Sequence, residues 1–380
     1  MQLLVVILSM DSERIYKVAL SMTQGVTAEV VRSLESRGIS FRDFFTMNMP
    51  DLQAELSLER NYNFQNAYRE EALAMARKEM EFINKHSIRT LFISDEDYPI
   101  LLKETPDAPV MLYVLGSADL NSQPLLSVVG TRRCTAYGTS FCKSFINDLS
   151  VYFPDATVVS GLAYGIDAAS HISSIESGLK TVAVMAHGLD TIYPSAHRDL
   201  ARRIIASGGA IVSEYPSKTR PYQRNFLQRN RIVAGLCEAT VVVESEERGG
   251  AMSTANLAFS YSREVFAVPG RYSDQYSAGC NQLISRNKAH IFTTVADFMN
   301  IMNWKIPAIG MPAPKKSLFP ELSGEMALVF EAIRKKGNTV AIDELHQKTG
   351  LSMPALMSAL TDLEFEGVIV KLPGARYEIC

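Results

Sequence analysis

The stretch ATVVSGLAYGIDAASH, residues 156–171, decides the fold class of this chain. An apolar run leads into a turn bracketed by Gly161 and Gly165, and a helical pattern follows. The unbroken apolar run is typical of a strand that is buried on both faces of a parallel sheet. A strand-to-helix turn of this kind presents backbone N–H groups to an anion, either a nucleotide or the phosphate backbone of a nucleic acid strand.

Other apolar runs alternate with helical patterns through the middle of the chain: LLSVVG, TVAVMA, GAIVSE, ATVVVES, EVFAVPG and AHIFTT. This alternation predicts an α/β fold with a doubly wound, mostly parallel sheet. Ligands of such sheets bind beyond the carboxyl ends of the strands. The loops that follow these runs are therefore the candidate binding segments.

The bulk composition is that of an ordinary globular protein, with 47% hydrophobic and 21% charged residues among 380. Its formal net charge of -3 excludes a uniformly basic nucleic-acid binder, so contact with nucleic acid would need a local basic patch. The five cysteines form no CxxC pair, which favours a reducing, cytoplasmic setting and argues against a zinc site. The opening run MQLLVVILSM is too short to span a bilayer, so we expect a buried first element and no membrane partner.

Pattern and composition divide the chain into four regions. Apolar residues at helical spacing predict an N-terminal helical domain over residues 1–97, similar in layout to a SAM or helix-hairpin-helix domain. Its TQGV turn lacks a second glycine and an adjacent cation, so we expect a structural role for it. The sheet domain over residues 98–304 is followed by a Pro-rich linker at 305–320. Three helices and a hairpin over residues 321–380 predict a winged helix.

The expected recognition helix of this winged helix, residues 352–366, carries Asp362, Glu364 and Glu366 but no lysine or arginine. DNA phosphates would repel such a helix. Lys371 and Arg376 in the hairpin are the only compensation. We therefore favour a protein contact or an accessory role for this domain.

The segment YPSKTRPYQRNFLQRNRI, residues 215–232, is basic and contains no acidic residue. Its cations are Lys218, Arg220, Arg224, Arg229 and Arg231. Among them lie two aromatic rings and two amides, Tyr222, Phe226, Asn225 and Asn230. Cations for phosphates and rings for base stacking are what single-stranded nucleic acid requires. The alternative is a solvated basic face with Phe226 turned into the core.

Two other loops offer contacts to an anion. Arg132 and Arg133 follow the run LLSVVG. A guanidinium group can bind two phosphate oxygens at once, which suits these positions for a phosphate contact. The alternative is an ion pair on the surface. Gly249 and Gly250 turn the chain after ATVVVES, and Ser253 lies in the first turn of a helix whose N–H groups face the same sheet edge. A plain helix cap would use the same residue types.

Several strings occur in a characteristic order and spacing: VVGTRRCTAYG, VVSGLAYGIDAASH, VAVMAHGLDTIYP, GGAIVSEYP, RNFLQRNRIVAGL, ATVVVESEERGGAMSTANLA, EVFAVPG and AGCNQLI. Together they resemble the DNA-processing protein A (DprA/Smf) family. The resemblance implies an extended Rossmann-like domain that binds single-stranded DNA and helps to load RecA recombinase onto it in recombination or natural transformation. It also implies a homodimer formed through this domain, and no chemical reaction.

The phosphate-binding pocket of the family maps by position onto ten residues of this chain: Arg132, Gly161, Gly165, Asn225, Arg229, Asn230, Arg231, Gly249, Gly250 and Ser253. This sequence departs from the family pattern at two nearby positions. Tyr164 replaces a residue that is usually basic, which exchanges a phosphate cation for a stacking ring. Leu227 replaces a common proline.

A nucleotide hydrolase of the phosphoribohydrolase (lysine-decarboxylase-like) type is the alternative on the same sheet architecture. Its Pro-Gly-Gly…Gly-Thr…Glu signature would fall on RGGAMSTAN, where its glutamate is replaced by Asn256. Arg248 and Met252 replace the proline and a glycine. An amide cannot act as a general base, so hydrolysis would need one of the nearby acids Glu244, Glu246 and Glu247. A dinucleotide-dependent oxidoreductase is set aside because the GxGxxG fingerprint is missing, and we expect no cofactor.

Overall fold

The structure, a computed structural model, describes residues 13–56, 66–304, 324–334, 339–365, 368–372 and 376–379. The chain divides into two compact units, Met1–Ile306 and Pro307–Cys380. The apolar run at the N-terminus, the Pro-rich linker and Glu366 lie outside the described residues.

The first unit begins with helices that bury one apolar face each. They are α1 (residues 13–22), α2 (Ala28–Ser36), α3 (Phe41–Thr46), α4 (Met49–Leu56) and α5 (Asn66–Lys85). In α2 the buried side chains recur at helical spacing, as in Val30, Val31 and Leu34. The TQGV segment turns the chain between α1 and α2, with Gly25 at a φ of 88°.

A sheet of nine strands among the described residues follows. The strands are β1 (Arg89–Phe92), β2 (Met111–Gly116), β3 (Leu125–Val129), β4 (Thr157–Ser160), β5 (Lys180–Val184), β6 (Ala210–Ser213), β7 (Ala239–Val242), β8 (Glu264–Ala267) and β9 (His290–Ile291). Their order is β1-β2-β6-β5-β4-β3-β7-β8-β9. The seven strands from β3 to β9 pair in parallel, whereas β2 pairs antiparallel with β6 and β1 with β2.

Helices cover both faces of this sheet. They are α6 (Ile100–Lys103), α7 (Ala136–Tyr152), α8 (Ile166–Glu176), α9 (Arg198–Ala206), α10 (Gln223–Gly235), α11 (Gly250–Ser260), α12 (Ala278–Ser285) and α13 (Val295–Met302). Side chains of β3 alternate between two cores, with Leu125 and Val129 in one and Leu126 and Val128 in the other. This burial on both faces confirms the doubly wound, mostly parallel sheet that the apolar runs predict.

Two antiparallel strands, β1 and β2, are not among the apolar runs that the sequence singles out. β1 lies within residues 89–92, inside the region that sequence pattern assigns to the N-terminal helical domain. The N-terminal helices also share a hydrophobic core with the sheet, in which Phe44 and Ile83 belong with Leu112 and Val212. The predicted boundary near residue 97, between the helical domain and the sheet domain, therefore stays a prediction, since the two regions share one hydrophobic core.

The second unit contains α14 (Gly324–Arg334), β10 (Thr339–Ala341), α15 (Ile342–Thr349), α16 (Met353–Phe365), β11 (Ile369–Leu372) and β12 (Arg376–Ile379). Its strands form a separate sheet in the order β10-β12-β11. Buried Val329, Leu345, Leu360 and Tyr377 belong to a core of its own. Three helices with a terminal hairpin match the winged helix predicted from the sequence.

Candidate functional site

A cleft of about 650 Å³ lies at the carboxyl ends of the central strands. The strands β4, β5 and β6 extend the sheet on one side of β3, and β7 then returns to its other side. Loops on the two sides of such a switch point diverge and leave a crevice. Eight of the residues predicted from the sequence line the cleft: Arg132, Arg133, Gly161, Phe226, Arg229, Asn230, Gly249 and Gly250.

The two glycines of the β4–α8 turn allow close approach of two other segments. A Cβ on Gly161 would overlap the guanidinium of Arg229, and a Cβ on Gly165 would overlap the carbonyl oxygen of Thr131. Gly165 also has a φ of 77°, which side chains rarely tolerate. The backbone N–H of Ile166 donates to that same Thr131 oxygen over 3.2 Å. The turn therefore seats Arg229 and fixes the loop that follows β3.

Arg229 is the most buried cation of the cleft, with 5% of its surface exposed. Its Nη1 donates to the carbonyl oxygen of Val184 over 2.6 Å, at the end of β5. Burial lowers the pKa of Arg229, while the carboxylate of Asp167 raises it. Arginine keeps its charge even so, and a guanidinium in the wall of a cleft can bind an anion.

Asp167, in the first turn of α8, is the acidic partner of this arginine. Burial raises the pKa of Asp167, whereas Arg229 and hydrogen bonds from the turn lower it. One of these bonds comes from the backbone N–H of Ala163, over 3.3 Å. At least one N–H of the β4–α8 turn is therefore used by a side chain of α8. Arg229, and not the whole turn, supplies the positive charge of the cleft at this point.

Arg132 stacks over the ring of Phe226 in the cleft, and the ring of Tyr193 lies beside Phe226 at a tilt. The guanidinium of Arg132 lies 5.5 Å from the ring centre of Phe226, a cation–π distance. The ring centre of Tyr193 lies 5.8 Å from that of Phe226, and half of Tyr193 is exposed. Phe226 is thus half-buried beside the cleft, between a cation and a second ring.

Helix α10 distributes the basic segment over different faces. Gln223, Phe226, Leu227 and Asn230 recur at helical spacing and line the cleft. Arg231 points elsewhere and pairs with Glu214 over 2.5 Å. Sequence pattern groups Arg231 with the phosphate ligands, whereas the structure places it in this ion pair.

Other residues of the basic segment lie outside the cleft lining. The exposed ones are Lys218, Arg220, Tyr222 and Arg224. Asn225 is buried and its Nδ2 donates to the carbonyl oxygen of Arg220 over 3.5 Å, at the start of α10. These residues surround the approach to the helix, and their part in binding stays a prediction.

The start of α11 forms the opposite wall of the cleft. Gly249, Gly250 and Thr254 line the cleft there, while Ser253 lies outside the lining. The exposed Tyr164, in the β4–α8 turn, also lies outside it. A Cβ on Gly250 would meet no atom within 4 Å, so a ligand can reach the backbone there. The Nδ2 of Asn230 approaches the carbonyl oxygen of Gly250 at 3.4 Å and links α10 to this wall.

Several lining residues are not among those selected from the sequence. Tyr193 follows the run TVAVMA in the loop HGLDTIYP, whose composition fits a plain connection equally well. Gln223 lies three residues before Phe226 and seven before Asn230, so helical spacing places it on the same face of α10 and could have identified it. Thr131 and Thr254 also line the cleft, but no sequence feature distinguishes them from the residues next to them.

Two of the acids near the cleft, Glu244 and Glu246, accept hydrogen bonds from the protein, whereas Glu247 is exposed. Glu244 accepts hydrogen bonds from the backbone N–H and the hydroxyl of Thr135, the N-cap residue of α7, at 2.9 and 2.5 Å. Glu246 lines the cleft but accepts from the Nε2 of Gln275 over 3.0 Å. The Oδ1 of Asn256 accepts from the ammonium of Lys288 over 2.8 Å, outside the lining. Within the described lining the acids are Asp167 and Glu246, and each accepts a hydrogen bond from the protein.

The described residues also contain no group of three or more histidines, cysteines or acids that could hold a metal ion. No helix within the described ranges is long and apolar enough to cross a membrane.

Fold and cleft together define a class: a Rossmann-like α/β protein with an arginine-lined cleft at the switch point of its sheet. The family model described as DNA recombination-mediator protein A matches residues 89–303. A second model, the DprA winged helix domain, matches residues 312–375. The chain belongs to the DNA recombination-mediator protein A family, as the strings in its sequence predict.

Individual relatives agree with this assignment. The chain is 34% identical over 281 residues to Protein Smf of Escherichia coli (strain K12), covering 73% of this chain and 74% of that protein. It is 39% identical over 207 residues to the DNA processing protein DprA of Streptococcus pneumoniae (strain ATCC BAA-255 / R6), covering 54% and 72%.

Two solved structures share the fold. The X-ray structure of DprA from Streptococcus pneumoniae matches with a TM-score of 0.62 at 31% identity, covering 75% of this chain and 97% of that one. A structure of DprA from Helicobacter pylori, described for its single-stranded DNA binding mode, matches with a TM-score of 0.51 at 28% identity, covering 57% and 95%.

Proposed function

We propose that this protein binds the phosphate backbone of single-stranded DNA in the cleft between β3 and β7. The buried guanidinium of Arg229, seated on Gly161 in the same cleft as the Arg132–Phe226 stack, is the observation that carries the proposal. A buried cation beside an exposed cation and aromatic rings suits a strand whose phosphates are held and whose bases stack. The single-stranded DNA binding mode described for the Helicobacter pylori relative supports the same ligand class.

The cleft residues take different parts in this proposal. Arg132 and Arg229 contact phosphate oxygens, because guanidinium forks match them. Phe226 and Tyr193 stack on bases, and the backbone of Gly250 donates to a phosphate. The exposed cations Arg133, Lys218, Arg220 and Arg224, with the ring of Tyr222, attract the strand toward the cleft.

The finer biological role rests on the family resemblance. We propose that the bound strand is protected and passed to RecA recombinase during recombination or natural transformation, in the cytoplasm. We further propose a homodimer formed through the Rossmann-like domain. The protein acts as a binding protein and not as an enzyme, which is supported by the family resemblance and by Asn256 at the position where the hydrolase signature has its glutamate.

Fluorescence anisotropy tests the ligand. A labelled oligo-dT is titrated with the full chain over a salt series, against a duplex of the same length. We expect a preference for the single strand, and we expect Arg132→Ala, which removes one phosphate-binding cation, to reduce the salt slope by about 0.7. Arg229→Lys keeps the charge but not the fork, so it weakens binding without leaving an empty buried space.

Arg37→Ala, at the exposed end of α2, is the matched control, and we expect it to change neither affinity nor slope. Binding that is equally strong in all three variants contradicts the proposal. In that case release of a free base from a nucleoside monophosphate, followed by chromatography, tests the hydrolase alternative. Analytical ultracentrifugation of the full chain tests the homodimer. The rate at which RecA assembles on the bound strand, with and without this protein, tests the loading role.

A further inference from the structure

An aromatic pair continues the cleft at the rim formed by the β4–α8 turn. Ala163 lines the cleft, and the next residue, Tyr164, projects a ring that is 50% exposed. This ring meets His197 edge-on, with 4.9 Å between the ring centres. The Nδ1 of His197 lies 2.8 Å from the carbonyl oxygen of Leu162, which ties the imidazole to the same turn. The pair is therefore a fixed, half-exposed aromatic surface outside the cleft lining.

Helix α9 begins directly after His197 and carries a basic outer face. Its apolar residues, such as Leu200 and Ile204, are buried against the sheet. Arg198, Arg202 and Arg203 are exposed, and none of them forms an ion pair with any described residue. Asp199 is the acidic residue that shares this face, so the face keeps a positive balance.

The positions of two arginines suit a chain of phosphates. Arg198 and Arg202 are four residues apart and so lie one above the other, about 6 Å apart along the helix axis. Exposed guanidinium groups without carboxylate partners bind phosphates with little competition. A strand that leaves the cleft at Ala163 meets the Tyr164 ring first and these cations next.

We propose that single-stranded DNA extends beyond the cleft onto a second subsite, formed by the Tyr164–His197 pair and the outer face of α9. This inference rests on the proposed function, since it assumes a strand in the cleft. Tyr164 stacks on one base, and Arg198 and Arg202 hold the phosphates that follow. Arginine faces of this kind also bind acidic proteins, but a protein would not need the stacking ring beside them, and the strand is therefore favoured.

Two lengths of oligo-dT separate this subsite from the cleft. One of about 6 nucleotides fills the cleft alone, and one of about 20 nucleotides reaches α9 as well. In the full chain, the double variant Arg198→Ala/Arg202→Ala should bind the long oligonucleotide about tenfold more weakly, with a salt slope lower by about 1.4. Its affinity for the short oligonucleotide should stay that of the unmodified chain.

Matched variants control for charge and for the ring. Arg37→Ala/Arg42→Ala also removes two positive charges, from exposed positions at the end of α2 and in α3, and should change the affinity for neither oligonucleotide. Tyr164→Leu should lower the affinity for the long oligonucleotide about fivefold, while Tyr164→Phe, which keeps the ring, should preserve it.

The two proposals fail in different ways. If the α9 double variant binds the long oligonucleotide as tightly as its control does, the second subsite is overturned while binding in the cleft stands. If the unmodified chain binds neither length, or Arg132→Ala leaves the short one unaffected, the cleft proposal itself is wrong and the subsite falls with it.

Discussion

At the scale of single residues, the Gly161–Arg229 contact sets the chemistry of the cleft. Arginine rarely lies in a protein interior, since burial of an ion is unfavourable unless hydrogen bonds and counter-charges compensate. Here the carbonyl oxygen of Val184 and the carboxylate of Asp167 supply both. Only glycine leaves the space that the guanidinium occupies.

Gly161→Ala should therefore lower the free energy of unfolding by about 1–3 kcal/mol, because the added methyl group overlaps the guanidinium of Arg229. The displaced arginine should also weaken binding of single-stranded DNA. Urea unfolding followed by circular dichroism measures the first effect. Gly250→Ala is the control, since its Cβ meets no atom within 4 Å, and it should change stability by no more than about 0.5 kcal/mol. Equal losses in both variants would contradict the close-contact explanation.

His171 is a second buried residue with a measurable consequence. Its imidazole is fully buried in α8, and the Oγ1 of Thr181 lies 2.6 Å from its Nδ1. That hydroxyl donates its proton to the carbonyl oxygen of Val158, so Nδ1 of His171 carries a proton and donates, and Nε2 is left bare. Burial lowers the pKa of His171 to about 3, assisted by the nearby charges of His197 and Arg229.

This histidine should make the protein less stable in mild acid. The unfolded chain binds a proton at His171 near pH 6.5 while the folded chain does so only near 3, so stability is present above 6.5 and is lost as the pH falls toward 3. The loss amounts to at most about 1.4 kcal/mol per pH unit. In His171→Gln, this part of the slope between pH 6.5 and 4.5 should vanish in urea titrations. A slope identical to that of the unmodified chain would show that His171 is protonated in the folded state.

At the scale of elements, helix α5 holds the loop that leads into α10. Glu79 of α5 is buried, and its carboxylate accepts from the backbone N–H of Ser217 over 2.8 Å and from its hydroxyl over 2.5 Å. The same loop is tied to the segment after β5, since Asp190 accepts from the backbone N–H of Lys218 over 2.8 Å. An N-terminal helix therefore positions the basic segment, 138 residues further along the chain.

Glu79→Ala should loosen this loop without unfolding the sheet. Loss of hydrogen bonds to a buried carboxylate should lower the free energy of unfolding by about 2 kcal/mol. Hydrogen exchange at the amides of Ser217 and Lys218 should accelerate about tenfold or more, which mass spectrometry of the native protein detects. The exposed Glu81, on the same helix, provides the control variant Glu81→Ala. Unchanged exchange in Glu79→Ala would mean that other contacts, such as the Asp190 bond and the bond from the N–H of Gly188 to the carbonyl oxygen of Thr219, hold the loop without Glu79.

At the scale of the whole molecule, the chain consists of two units with separate cores. The core of the second unit contains described residues from Val329 to Tyr377, and the cores of the first unit end at Trp304. The exposed acids Asp362 and Glu364 lie on α16, which has no basic residue. A helix of this charge disfavours contact with phosphates.

A chain truncated after residue 304 should therefore fold and should bind single-stranded DNA within about threefold of the full chain. Circular dichroism and the anisotropy titration measure the two properties. Arg132→Ala in the truncated chain should weaken binding as it does in the full chain, which verifies that the same cleft is measured. A large decrease in affinity on truncation would assign the winged helix a direct share in DNA binding.

Much of the fold was predictable from local pattern. Unbroken apolar runs specify strands buried on both faces, and each of the seven runs that the sequence singles out between residues 125 and 294 contains a strand of the sheet. The strand β2 is itself an apolar run, MLYVLG, that is not among the runs singled out from the sequence, whereas its antiparallel pairing with β6, nearly a hundred residues away, is a tertiary feature. The four residues of β1, of which Arg89 is exposed, form no apolar run.

The sequence by itself determined the class of fold, the family and the segments that meet at the cleft, because these depend on periodicity and spacing along the chain. The tertiary structure alone decided how the arginines divide, with Arg229 buried at Gly161, Arg132 stacked on Phe226 and Arg231 paired with Glu214. Charge and helical spacing are the same for an arginine that points to a ligand and for one that points to a carboxylate. Whether an arginine contacts a ligand or a carboxylate depends on the side chains that distant strands place next to it. The local sequence around the arginine contains no information about those side chains.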